Sequence, residues 1–470
     1  MKTPSTRASL LSFRWTQLHS RYTDCLSTTQ NLLKTLPRIS RIQNRQRSQS
    51  SWAQAVSVAT NVLSNATSRA ASRGEITVDP LRIVAKEMKF LTGNIRQLLG
   101  SGHPTLDTVA KYYTQSEGKH VRPLIVLLMS RATALMQKSP RRNLYSGTAS
   151  IDDPISPSAI LADVNPSTPT TNPLTHSLTS YPSSESDILP SQRRLAEITE
   201  LIHTASLLHD DVIDHSDARR GSPSANLAFG NKMAVLAGDF LLGRASVALA
   251  RLRNSEVIEL LATVIANLVE GEFMQLKNTA RDEKNPIWTE DTITYYLQKT
   301  YLKSASLISK SCRAAALLGG SDGVTVEAAY AYGKNLGLAF QLVDDMLDYT
   351  ISEKELGKPA GADLELGLAT APLLFAWKQN QELGALVGRK FGEEGDVERV
   401  SVSSVKLPSY MKLILFKARE LVLQSDGLEQ TRALAQDYAD KAIAAINYFP
   451  PSEAKDGLIE MAVKTLKRRK

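Results

Sequence analysis

The sequence predicts an all-α fold. Apolar residues recur at a 3.6-residue period along nearly every long segment. Pro and Gly fall between those segments rather than inside them. Strict apolar–polar alternation is rare, so no convincing strand is expected. The predicted helices include two that carry the same acidic pattern, D-D-x-x-D. One reads Leu208-His209-Asp210-Asp211-Val212-Ile213-Asp214, the other Leu342-Val343-Asp344-Asp345-Met346-Leu347-Asp348.

The 470 residues are 42% hydrophobic and 22% charged, which is ordinary for a globular chain. Cys25 and Cys312 give neither a disulfide framework nor metal spacing. No run of about 18 apolar residues marks a transmembrane helix. The net charge of +8 is unevenly placed. Residues 1–74 hold nine Arg, two Lys and a single acid, Asp24, a balance of +10 that leaves −2 for the rest. The basic character therefore belongs to the leader and argues poorly for nucleic-acid binding.

Residues 1–74 are rich in Arg, Ser and Thr, with short amphipathic stretches such as Ser9–Trp15 and Leu32–Leu36. That composition predicts a mitochondrial transit leader, with cleavage between Arg47 and Arg73; a basic arm that stays attached is the plainer alternative. Residues 75–470 are expected to form the functional domain. Asp79-Pro80 opens a helix, Asp as N-cap and Pro at the first position. Its apolar face runs Leu81, Val84, Met88, Leu91, Ile95 and Leu98, and Gly100–Pro104 ends it. Gly118-Lys119-His120-Val121-Arg122-Pro123 then leads into Leu124–Met129. A Gly, cations and a Pro at a helix start suit an anion; alone they also suit a surface turn. Residues 138–190 hold eight of the 20 Pro, with dense Ser, Thr, Asn and Asp, and read as a long insertion.

A helix from Ser191 carries the apolar face Leu195, Ile198, Leu201, Ile202, Ala205 and Leu208, as well as His203, and ends in the first acidic cluster. Arg219-Arg220-Gly221 follows, a common surface turn that also suits diphosphate. Further helices are expected over Ala234–Leu252, Val257–Lys277, Asp291–Leu318 and Thr325–Tyr349. Gly357–Asp363 is a loop, and Leu364–Gln379 a resumed helix. Residues 381–408 read as a second insertion. Helices return over Tyr410–Ser425, Gly427–Tyr448 and from Ser452 onward. The terminal Lys467-Arg468-Arg469-Lys470 suits a solvated end favourable to the last helix dipole, although it could also help close over diphosphates.

On a helix, residues i and i+4 share a face roughly 6 Å apart, so Asp210 pairs with Asp214 and Asp344 with Asp348. Asp211 and Asp345 lie about 100° around. Like charges this close need a positive partner, above all inside apolar runs. Mg²⁺ fits, because it takes oxygen ligands and bridges carboxylates to phosphates. One such cluster would read as a solvated acidic face. Two are harder to dismiss.

In their order, six motifs resemble those of the trans-isoprenyl diphosphate synthases, and most of all the long-chain polyprenyl synthases of mitochondrial ubiquinone biosynthesis. They are G-K-x-x-R-P at 118–123, H-x-x-S-L-x-H-D-D at 203–211, D-D-x-x-D-x-x-x-x-R-R-G at 210–221, G-E-x-x-Q at 271–275, F-Q-x-x-D-D-x-x-D at 340–348 and G-K-P at 357–359. The resemblance runs from about residue 80 to the C-terminus and covers the insertions poorly. It implies an orthogonal helical bundle around a central cavity, the isoprenoid synthase type I fold, with roughly three Mg²⁺ ions held by Asp210, Asp211, Asp214, Asp344, Asp345 and Asp348. It implies that Arg219, Lys303, Ser304, Gln341 and Lys358 bind the allylic diphosphate, farnesyl or geranylgeranyl. It gives Lys119, Arg122, His203 and Arg220 to isopentenyl diphosphate. The allylic C–O bond breaks when the leaving diphosphate is stabilised, the isopentenyl double bond attacks the cation, and a proton leaves to end the cycle. The aspartates are then ligands, not bases. Apolar walls keep water from the cation. A homodimer or heteromer in the matrix, or peripheral to the inner membrane that receives the product, is also implied. One departure is Lys303-Ser304 where the family has Lys-Thr; Lys299-Thr300, one turn earlier, offers a second registration.

Product length follows from volume. Ala205 and Ser206 are small where short-chain relatives carry bulky aromatics, so a tunnel should continue past Ile202 and Ile198. Each helical turn adds about 5 Å, on the order of one isoprene unit, which predicts about six to ten units and a shortened product in Ala205→Phe. Two rival functions remain open. A class I terpene cyclase shares D-D-x-x-D but not, as a rule, a second copy. A non-catalytic partner subunit typically loses aspartates or cations, and here all six aspartates are kept.

Overall fold

The computed structural model divides the chain into two units, Met1–Ile76 and Thr77–Lys470. It describes residues 78–115, 120–139, 187–219, 222–277, 288–350, 362–365, 368–381, 383–384 and 418–468, with the isolated positions 151 and 155. All lie in the second unit. The expected leader and most of both insertions fall outside the described residues.

The described residues are overwhelmingly helical. The expected start at Asp79 is present: its side chain accepts from the Leu81 N–H, and Pro80 sits at the first turn. The predicted single helix is in fact two, α1 (Pro80–Ile83) and α2 (Ala85–Leu98). Val84, at φ −120° and ψ 27°, leaves helical geometry between them. Next come α3 (Pro104–Gln115), which periodicity missed, and α4 (Val121–Ala134). The central helix α5 spans Pro190–Ile213 and is buried along most of its length. Its 24 residues make a rod of about 36 Å. Some of its polar residues are tied to neighbouring helices: Gln192 donates to the Ala315 carbonyl at 2.8 Å, and Glu197 accepts from Asn94 at 2.8 Å.

A small antiparallel hairpin, β1 (Ala218–Arg219) and β2 (Ser222–Pro223), follows α5, with Ala218 opposite Pro223. No strand was expected, and this one is too short for alternation to register. Then come α6 (Ala225–Phe229), α7 (Asn231–Arg251), α8 (Ser255–Lys277) and α9 (Glu290–Thr300). By length and composition α7 could cross a membrane, against the sequence expectation. It packs along α5, however, and a core helix passes the same test.

The expected helix Asp291–Leu318 is interrupted. After α9 the backbone widens into a π-helical turn, Tyr301–Ala305, before α10 (Ser306–Leu318). Two glycines make room for it. A Cβ on Gly271 of α8 would stand 2.9 Å from the Lys303 nitrogen, and one on Gly337 would stand 2.6 Å from Ala305 Cα. Gly337 belongs to α11 (Gly323–Thr350). The remaining elements are α12 (Ala362–Glu365), α13 (Ala371–Gln379), α14 (Gly427–Ala445) and α15 (Glu453–Lys467). Leu364–Gln379 is thus two helices rather than one, parted around Leu368–Thr370.

Two apolar cores form. The larger gathers α2, α4, α5, α7 and α10 with the first half of α11, through residues such as Leu127, Leu201, Leu241 and Tyr332. The smaller packs the second half of α11 against α9, α13 and α14, through Tyr296, Leu342, Tyr349 and Trp377. Helix α11 runs through both, and Asp344 lies on it just beyond the point where one core gives way to the other.

Candidate active site

The C-terminal end of α5 carries the first acidic cluster. Asp210 and Asp214 line a cleft of about 620 Å³. Asp211 points inward and is fully buried. Arg219 grips it twice, Nε at 2.8 Å and Nη2 at 2.5 Å, and the Tyr113 hydroxyl donates to it. That hydroxyl also accepts from the Ala225 N–H at 2.8 Å. The β1–β2 hairpin is what returns Arg219 toward α5.

The second cluster divides less sharply. Asp344 and Asp345 both line the cleft, but Asp345 is almost wholly buried. The Tyr296 hydroxyl donates to Asp345 at 2.6 Å, and the Gln341 amide at 2.9 Å. Ser304 in turn donates to Gln341 Oε1 at 2.7 Å. Asp348 accepts from the Asp363 N–H at 3.3 Å. In this arrangement the middle aspartate of each motif is an anchor whose oxygens are engaged by protein donors. Of the six aspartates expected as metal ligands, Asp211 and Asp345 differ from Asp210 and Asp214 in being held by protein side-chain donors. The i+1 residue of a helical pair faces the core, where tyrosines and an arginine or glutamine satisfy it.

The cations follow. The π turn carries Lys303, whose Nζ lies 2.5 Å from Glu272 of α8. Burial would lower the Lys303 pKa, but Asp210 and Glu272 outweigh it and hold the ammonium above its usual value. Lys299 lines the same cleft one turn earlier, so both registrations of the lysine motif face it. Burial pulls the Lys299 pKa down, against the pull of Asp345 and Asp363. Asp210 feels the opposite stress. Burial, with Glu272 and Asp214 nearby, pushes its carboxyl up to about 6 despite Lys303. Asp214 is likewise raised, by burial first.

At the neighbouring edge of the cleft, Arg122 lies 2.8 Å from His203 Nε2. Guanidinium can only donate, so Nε2 accepts and the imidazole proton sits on Nδ1. One step away, His120 Nδ1 meets Glu200 at 3.0 Å. Near the C-terminus, Arg468 is not a solvated end. It bonds Asp344, and its guanidinium lies 3.9 Å above the Phe340 ring. Burial, with Arg122 close by, pulls its pKa down to about 10. Lys119, Arg220 and Lys358 lie outside the described residues.

A second, apolar groove of about 330 Å³ opens beside the first cluster. Ser206 and Asp210 line both spaces; Ile202, Ile265, Leu268 and Phe273 line the groove. Ala205, expected beside Ser206 as a floor position, is fully buried and lines neither. The two residues are about 100° apart on α5, so only one faces the opening.

Sequence reasoning passed over several of these residues. Tyr113 and Tyr296 come from helices remote in sequence, and no motif marks them. Glu272 sits in G-E-x-x-Q but carried no role. Among the described residues no group of three or more His, Cys, Asp or Glu is gathered closely enough to hold a metal ion alone. That suits Mg²⁺, which is bound by one or two carboxylates together with substrate phosphates and water. The carboxylates of Asp210 and Asp214 accept no side-chain hydrogen bond from the described residues, and burial makes their charge costly. Both therefore fit a cation brought in with diphosphate.

The polyprenyl synthetase family pattern matches residues 171–403. The chain is 72% identical over 433 residues to a probable hexaprenyl pyrophosphate synthase, mitochondrial, from Neurospora crassa, covering 91% of this chain and 90% of that one. It is 45% identical to the hexaprenyl pyrophosphate synthase, mitochondrial, of Saccharomyces cerevisiae, covering 86% and 94%. Among solved structures, a polyprenyl synthase from Caulobacter crescentus complexed with calcium and isoprenyl diphosphate superposes with a TM-score of 0.62. It is 29% identical and covers 83% of this chain and 97% of that one.

Proposed function

Because the chain belongs to the polyprenyl synthetase family, we propose that it extends an allylic primer, farnesyl or geranylgeranyl diphosphate, to an all-trans hexaprenyl diphosphate. It is a trans-polyprenyl diphosphate synthase, a Mg²⁺-dependent prenyltransferase of the mitochondrion that uses isopentenyl and allylic diphosphates. A product of about six to ten units fits the ubiquinone side chain. Six units is the length that the names of its Neurospora and Saccharomyces relatives carry.

The observation that carries this reading is one cleft. Aspartates of both acidic clusters converge on it with Lys299, Lys303 and Arg122, Arg468 bonds Asp344 at its edge, and at Ser206 it meets an apolar groove. Asp210, Asp214 and Asp344 would hold the magnesium, roughly three ions with the diphosphate. Bound there, the metal stabilises charge developing on the leaving diphosphate. Lys303 and Lys299 add fixed positive charge beside the departing group, and Arg219 fixes the Asp211 turn beneath it. Arg122 and His203 would take the isopentenyl diphosphate, and the apolar groove the growing chain.

Residues from about 75 onward, incubated with Mg²⁺, farnesyl diphosphate and labelled isopentenyl diphosphate, should give a ladder ending at hexaprenyl diphosphate. Folded protein with no incorporation would favour a partner subunit that needs a second chain.

A dimer has its own support. Leu227, Leu236, Val269, Phe273 and Leu276 stand about half or more exposed along α6, α7 and α8. Large apolar side chains exposed in such number suit an interface. Sedimentation equilibrium should give twice the chain mass, and Phe273→Glu should give the monomer. A monomeric wild type at micromolar concentration would refute the dimer. Delivery of the product to the inner membrane accords with its length and apolarity.

A further inference from the structure

Beyond the diphosphate contacts themselves, we propose that the buried Glu200–His120 pair is a positioning device for the isopentenyl site, one that fixes the turn from which Arg122 reaches the cleft. The inference rests on the assignment of Arg122 and His203 to isopentenyl diphosphate.

His120 is the N-cap of α4 and has left-handed backbone, φ 39° and ψ 47°. That conformation is unfavourable for a residue with a Cβ, and it persists only where its surroundings hold it. No side chain caps the helix there. What holds the turn is the imidazole. Nδ1 donates to Glu200 Oε1 at 3.0 Å, since a carboxylate can only accept. Glu200 is 6% exposed on α5, an expensive place for a carboxylate without a donor. Each group thus supplies what the other lacks.

The spacing converts this pair into a jig. Glu200 and His203 are three apart on α5 and so share a face. His120 and Arg122 are two apart at the start of α4. Two rungs, His120–Glu200 and Arg122–His203, therefore join the same two elements side by side. Only the second lines the cleft; the first does not touch it. With the first rung cut, the left-handed turn can relax. Arg122 then rises from a turn that is no longer fixed, and the diphosphate loses a pre-positioned fork. The allylic diphosphate, served by Lys303 and by aspartates ten or more residues further along α5 and on α11, should not notice.

Glu200→Leu removes the bond while leaving no unpaired buried carboxylate, and Glu200→Gln keeps an acceptor at the same place. Steady-state kinetics on the full chain should show the Michaelis constant for isopentenyl diphosphate rising about tenfold in Glu200→Leu. The constant for farnesyl diphosphate should stay within about twofold, and Glu200→Gln should restore most of the loss. Calorimetric titration with isopentenyl diphosphate alone should report the same loss without turnover. His120→Ala, at the edge of the turn, should reproduce it should Glu200→Leu fold poorly. Both constants rising together, or neither, would overturn the proposal, as would Glu200→Gln failing as badly as Glu200→Leu. A wild-type chain that binds no isopentenyl diphosphate would overturn the functional reading and this one with it. Binding by wild type and Glu200→Leu alike overturns the positioning role alone.

Discussion

Asp210→Asn is expected to lower kcat about 10³-fold, roughly 4 kcal/mol of transition-state stabilisation, while making the protein harder to melt. Both effects have one cause. Burial and the neighbouring Glu272 and Asp214 raise the Asp210 carboxyl to about 6. An acid whose folded pKa lies above its unfolded value destabilises the fold once ionised. The cost is absent below about pH 4 and complete above about pH 6, so at neutral pH it is present in full, on the order of 2–3 kcal/mol. The amide abolishes that cost and, with it, the charge that draws in the cation. Asp211→Asn should behave differently. It weakens the grip of Arg219 and Tyr113 inside the core, so melting temperature and activity should fall together. Melts in chelator and turnover with excess Mg²⁺, measured on both variants, decide the matter. If the two variants lose stability alike, the division between cleft-facing and anchoring aspartates is wrong.

Ser206→Phe is expected to stop elongation early, at four units or fewer, with the first condensation kept. Ser206 stands where the cleft meets the apolar groove, and its hydroxyl is held by the His203 carbonyl at 2.8 Å. A ring there would fill the opening. Each isoprene unit that enters an apolar channel gains roughly 3 kcal/mol from burial, so a blocked entrance removes the drive to extend as well as the room. The sequence placed this test at Ala205. The structure moves it by one residue, since a ring at fully buried Ala205 would strain the core by about 1–3 kcal/mol without reaching the groove. Chromatography of the dephosphorylated products reads the outcome, and unchanged length in Ser206→Phe would remove the steric account.

What could be read beforehand was whatever repeats along one helix. The 3.6 period located most helices, and the paired aspartates stood out because i and i+4 are neighbours in sequence as well as in space. What escaped depends on backbone hydrogen bonding or on distant partners. The π turn at Tyr301–Ala305 adds a residue to one turn with no side-chain signature, so the sequence favours Lys303 and nothing in it shows that Lys299 lines the same cleft. The helix at Pro104 follows a Gly-rich break that reads as loop. Asp211 and Asp210 look alike in a motif. Only Tyr113, 98 residues away, and Arg219 on a hairpin separate them.

The contact between Arg468 and Asp344 has a practical side. Arg468 directly follows the last residue of α15 and bonds an aspartate of the cleft. A proteolytic nick ahead of Arg468 would leave every described helix intact and still change how Asp344 is presented. Intact mass should therefore be verified on any preparation before its activity is compared with another.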